Sequence, residues 1–142
     1  MLELRAHLRS GGEPTPPPGL TERLEVADLS DIACRRVWLT RGARIYSCAA
    51  NWYVPGRLTP AMLAVLERGT TPFGKAIEAL EPMRDMLASE RLWNPTRMPN
   101  EMSSRPPARL LRYRALVKSG AGQPVCEVDE VYTRNILVQS PA

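Results

Sequence analysis

The sequence is poor in the groups that most often perform chemistry. It has one histidine, His7, close to the N-terminus, and three cysteines, Cys34, Cys48 and Cys126, far apart along the chain. A Cys–His or Ser–His nucleophilic pair would have to draw its base from a terminal segment, and the ligand spacing of a zinc site is missing. An odd number of cysteines with no export signal argues against a disulfide scaffold, so each is expected reduced and packed as a small hydrophobe. No metal and no cofactor is expected. Long apolar runs are also missing: nothing approaches the roughly eighteen residues of a membrane span. The opening Met1-Leu-Glu-Leu-Arg-Ala-His has no signal-peptide pattern, so the expected location is cytoplasmic. Lysine is scarce, with Lys75 and Lys118 the only two among nineteen basic residues.

What is present is a globular balance of 44% hydrophobic and 24% charged residues in 142, the size of one domain spanning 1–142. The formal charge of +4 is carried almost wholly by arginine, which keeps its charge when buried and holds carboxylates with a two-pronged fork. So small an excess, without a basic stripe, is weak evidence for nucleic acid; it fits a small anionic ligand equally well, and by default codon bias alone. Partners other than a small acid are not expected, and the chain is expected to be a monomer or a homodimer.

Patterning predicts the elements. Residues 1–9 read as a short helix, and the Gly/Pro-rich stretch 10–19 as a loop. Strand patterns follow at 24–29, at 33–40 and, after the Arg41-Gly42 turn, at 45–54, the last two forming an antiparallel hairpin. Thr59 and Pro60 predict a helix start and Gly69 its end. Thr71-Pro72 predicts a second helix through Leu80. Residues 82–93 favour helix by propensity. The Pro-rich 94–107 reads as a connection, and 109–118 and 125–138 as a second hairpin around Ser119-Gly-Ala-Gly-Gln-Pro124. This order predicts an α+β fold, an antiparallel sheet with helices packed on one side.

Charges on apolar strand faces mark candidate functional residues. Glu130 shares its face with Cys126, Val128 and Tyr132, while Glu127 and Asp129 lie on the face expected to meet solvent. A carboxyl on the core side must be paired, protonated or set against a ligand. Arg36 shares a face with Cys34, Trp38 and Thr40, and Arg35 with Val37 and Leu39; either arginine is a candidate to point inward. Arg105, Arg109, Arg112 and Arg114 read as a solvated edge. An inward arginine and an inward glutamate on separate hairpins suit a small carboxylate ligand, the arginine gripping the carboxylate and the glutamate meeting a hydroxyl or a migrating proton.

Three pieces in order resemble the bacterial chorismate pyruvate-lyases: Arg-Val-Trp-Leu at 36–39 with the return to Tyr-Val-Pro at 53–55, the helix from Leu58 to Leu66, and Gly69-Thr-Thr-Pro-Phe-Gly-Lys75. Gln123-Pro124 followed by Glu-Val-Asp-Glu-Val-Tyr is similar to that family's final strand. The segment 81–108 matches poorly. The resemblance implies an antiparallel sheet with helices on one side enclosing an internal ligand pocket. It implies release of pyruvate from chorismate, or a related cyclic acid, to give 4-hydroxybenzoate or an analogue. Arg36 and Glu130 are the implied catalytic residues, and Arg36, Asn51, Thr71, Gly74 and Glu130 the implied substrate contacts. Asn51 stands where a second arginine is expected; losing that charge removes a grip of about 1.5–3 kcal/mol on a dianion. The alternative is non-catalytic binding of an aromatic acid, as in the UTRA effector domains of bacterial regulators, which look like this fold. No helix-turn-helix fits before Leu24. A third reading is a structural subunit whose Pro-rich segment docks a partner.

Overall fold

The computed structural model describes residues 3–9, 14–92 and 108–137. Six antiparallel strands form one sheet in the order β1-β2-β3-β6-β5-β4. They are β1 (Leu4–Leu8), β2 (Ala33–Arg41), β3 (Arg44–Tyr53), β4 (Met83–Arg91), β5 (Arg109–Lys118) and β6 (Pro124–Thr133), with helices α1 (Leu20–Leu24), α2 (Pro60–Arg68) and α3 (Phe73–Ala76). Among the described residues no helix is long and apolar enough to cross a membrane. The fold is the α+β class with an antiparallel sheet read from the sequence.

Both hairpins form where the patterning placed them. Gly42, at φ 62°, supplies the tight turn between β2 and β3. The central pairing of β3 with β6 sets Ser47 opposite Tyr132, Ala49 opposite Glu130 and Asn51 opposite Val128. Side chains of directly opposed residues share a face, so this register gathers Ser47, Ala49, Asn51, Val128, Glu130 and Tyr132 on one side.

That side carries α2 and α3. Thr59 caps α2 by accepting from the Met62 N–H, Pro60 occupies its first turn, and Gly69 ends it in the left-handed conformation. Met62 and Leu66 of α2 and Phe73 of α3 pack with Ile77 on Ala115, Val117, Cys126 and Val128 of the sheet. The short α1 lies across one end of the opposite face, where Leu20 and Leu24 pack against Trp52, Val54 and Leu116.

Several local expectations are corrected. Residues 4–8 are strand, not helix: Leu4, Ala6 and Leu8 alternate, and Ala6 is fully buried against Val37 and Ala49. The strand expected at 24–29 is instead the end of α1 and a 3-10 turn over Leu29–Asp31, which Asp28 caps through the Ser30 N–H. The helix expected at 82–93 is β4, an edge strand paired with β5. Its Met, Leu, Ala, Glu and Arg favour helix, but the pairing edge of β5 overrides propensity. All nine of its residues are exposed, so no buried face was there to print a period of two. The second helix is a single turn at Phe73–Ala76 followed by a 3-10 turn over Glu78–Leu80, and its cap position is Pro72, not Thr71. The 94–107 connection and Arg105 lie outside the described residues.

Candidate functional site

A cavity of about 270 Å³ lies between the helix-bearing face of the sheet and the loop leading into α3. Its floor is Val37, Leu39, Ser47, Ala49, Asn51, Val128, Glu130 and Tyr132, and its lid is Pro72, Phe73, Gly74 and Lys75. Arg41, Tyr46 and Arg84 complete the wall, and Leu4 of β1 closes one end. Three cations and one carboxylate line it; Lys75 is paired with Glu3 at 3.1 Å, and Arg41 and Arg84 still outnumber Glu130, which favours an anion inside.

Glu130 is 5% exposed. Ser47 donates its Oγ–H to Oε2 at 2.6 Å, and Tyr132 donates its hydroxyl to Oε1 at 3.1 Å. The acid is thus buried against two hydroxyls. A carboxylate accepts about four hydrogen bonds, so capacity remains for a donor from the cavity. Tyr132 in turn has its pKa pushed up to about 12, by burial first and then by the adjacent Glu130 charge, with Arg84 opposing. It therefore stays a neutral donor across the physiological range. Arg41 stacks over the Tyr46 ring, 5.0 Å from its centroid.

The inward arginine is Arg35. It is 5% exposed, whereas Arg36 is half-buried on the other face. In register it stands opposite Asn51, and its Nη2 donates to the Thr71 carbonyl at 2.7 Å, tying β2 to the loop that roofs the cavity. Its Nε and Nη1 have no hydrogen-bond partner among the described residues. Burial pulls its pKa below the ordinary value, with Tyr53 opposing. A buried guanidinium with no carboxylate is costly, and the fold holds it next to Asn51 and Thr71, the first of which lines the cavity and the second of which precedes its lid.

The expectation that Arg36 and Glu130 meet in one cavity is therefore corrected. Arg36 lines a groove on the opposite side of the sheet with Trp38, Cys48, Arg112 and Asp129. Neighbouring residues of a strand point to opposite faces, and the choice fell to Arg35. The signal was present in Val37 and Leu39, which make the Arg35 face the more apolar. Of the other sequence-derived candidates, Asn51, Gly74 and Glu130 line the cavity. Thr71 lines a smaller adjoining one of about 230 Å³, which shares Leu4, Pro72 and Lys75 with the first. A Cβ at Gly74 would meet no atom within 4 Å, so a side chain has open space there.

Glu127, expected in solvent, is fully buried. Arg23 of α1 holds it through Nε to Oε1 and through Nη2 to Oε2 at 3.1 Å, and Arg114 of β5 donates to Oε2 at 3.0 Å. Arg112 pairs both oxygens of Asp129, at 3.1 and 2.7 Å. β5 is thus an interior strand, not an edge; Arg109 and Arg112 are exposed as expected, while Arg112 and Arg114 bind the acids of β6. Among the described residues no group of three or more His, Cys, Asp or Glu side chains is placed to hold a metal ion.

The six-stranded antiparallel sheet with few helices is the chorismate lyase-like fold shared by the effector-binding domains of bacterial GntR-type regulators. The effector domain of PhnF from Mycobacterium smegmatis superposes with a TM-score of 0.62 at 10% identity, over 94% of this chain and 83% of that one. The ligand-binding domain of a putative GntR-family transcriptional regulator from Bordetella bronchiseptica gives 0.60 at 13% identity, over 94% and 84%. In sequence, the chain is 38% identical over 124 residues to the protein y4mC of Sinorhizobium fredii, over 80% of this chain and 52% of that protein. The chain thus spans about half the length of the curated relative it matches. No protein-family model matches the sequence.

Proposed function

We propose that the chain is a non-catalytic binding domain for a small organic acid, most simply a cytoplasmic effector sensor. The observation that carries this reading is Arg35: a charge 5% exposed, with two donors unpartnered among the described residues, opposite Asn51, which lines a cavity whose wall holds three cations. One donor ties β2 to the Thr71 carbonyl, and an incoming carboxylate would compensate the other two. Asn51 supplies an amide in the same cavity, and a ligand hydroxyl donates to the remaining acceptor capacity of Glu130. The similarity to effector and ligand-binding domains of regulators supports binding over turnover. The lyase reading keeps Glu130 in the cavity but has Arg36 on the far side of the sheet.

Titration calorimetry with 4-hydroxybenzoate and with chorismate, followed by a pyruvate assay on the chorismate sample, separates the readings. The expected result is binding of an acid without pyruvate release. Pyruvate formation abolished in Glu130→Gln replaces the sensor with the lyase. An Arg35→Met variant is expected to remain folded, because removing an uncompensated charge offsets the lost bond to the Thr71 carbonyl, and to bind at least tenfold more weakly. Unchanged affinity in that variant takes Arg35 out of the site.

A further inference from the structure

The cavity does not end at Tyr132. Tyr132 and Arg84 are shared with a second concavity of about 460 Å³, whose remaining lining is Leu111, Tyr113 and Ile136. The two compartments differ in kind. The first carries the cations and Glu130, whereas the second is aromatic and aliphatic apart from the Arg84 head at the common rim. Ile136 is 37% exposed and its neighbour Leu137 52% exposed, so this end of the molecule presents apolar surface to water. Apolar surface continuous with a charged cavity is the arrangement that accommodates one ligand with two different ends.

We propose that the ligand is amphiphilic, with an anionic head in the polar cavity and an apolar tail, an alkyl chain or a second ring, lying past Tyr132 against Leu111, Tyr113 and Ile136. The inference rests on the anion-binding reading above and adds the class of acid. At the junction, the aliphatic stem of Arg84 contributes apolar surface while its guanidinium stays with the acid.

Benzoate and 4-butylbenzoate share a head and differ only in the tail. Calorimetry is expected to show the butyl compound binding at least tenfold tighter, since each buried methylene contributes about fourfold. Ile136→Asp, at a half-exposed site, is expected to abolish the difference in affinity between the two acids, with the fold verified by circular dichroism. Equal affinity for the two acids in the parent protein overturns the proposal and leaves the anion site standing. An advantage that survives Ile136→Asp also overturns it, because the tail then lies elsewhere. Failure of both acids to bind removes the anion reading and the amphiphile with it. If Ile136→Asp lowers the oligomeric state in sedimentation and the acids are not discriminated, the surface is covered by a second copy and the proposal falls.

Discussion

At the scale of single residues, two glutamates three apart on β6 are both buried, where alternation alone suggests that only Glu130 is. Glu130 was legible because Val128 and Tyr132 flank it on an apolar face. Glu127 was not, because what buries it is α1, an element the sequence reading took for strand. Arg23 and Arg114 are each about one quarter exposed, and between them they neutralise a carboxylate with no exposure at all. Removing one member of a buried ionic group leaves the others uncompensated. Glu127→Gln is therefore expected to cost about 2–3 kcal/mol, below the usual cost of breaking a fully buried pair because both arginines retain some water. Urea denaturation of the variant checks it, and a loss under half a kcal/mol would show that the triad is incidental to stability.

At the scale of elements, turn and cap residues carried the reading. Thr59-Pro60, Gly69 and the Arg41-Gly42 turn all stand where predicted, because caps and tight turns depend on one or two residues whose backbone preference is intrinsic. Gly69 has a second duty. Its φ is 79°, and a Cβ there would sit 2.6 Å from Cδ1 of Leu8 on β1. Gly69→Ala thus strains the end of α2 and pushes on the edge strand together. A loss of about 1–2 kcal/mol is expected. Hydrogen exchange should report it as reduced protection in β1, where Ala6 N–H also bonds the Thr70 carbonyl at 3.0 Å. Loss confined to α2 would separate the cap from the strand contact. β1 and β4 themselves were misread for a shared reason: both are edge strands, half or wholly exposed, and edge strands print little periodicity.

At the scale of the molecule, acids held neutral by the fold shape the response to pH. Burial pushes up the pKa of Tyr53 and of the Cys126 thiol, and burial together with Glu130 pushes Tyr132 to about 12 from its ordinary 10.0. Each group binds its proton more tightly in the native state than in the unfolded chain. Their contribution to stability is full below the unfolded values and is lost as pH rises through the folded ones, so stability falls on the alkaline side. Denaturation midpoints are expected to decline between pH 9 and 12, and Tyr132→Phe is expected to flatten the part of the decline above pH 10. A midpoint that holds constant to pH 12 would contradict the buried, neutral tyrosine.

Composition and local pattern by themselves determined the class of fold, both hairpins, the α2 helix with its two caps, and Glu130 as a core-side acid. Each of these depends on residues close in the chain, whose φ/ψ preferences or alternation act without distant help. Tertiary structure decided which of two adjacent arginines turned inward, the burial of Glu127 under α1, the strand state of residues 83–91 and the junction of two compartments at Tyr132. Those outcomes depend on which face another element covers, and that covering is assembled from segments far apart in sequence.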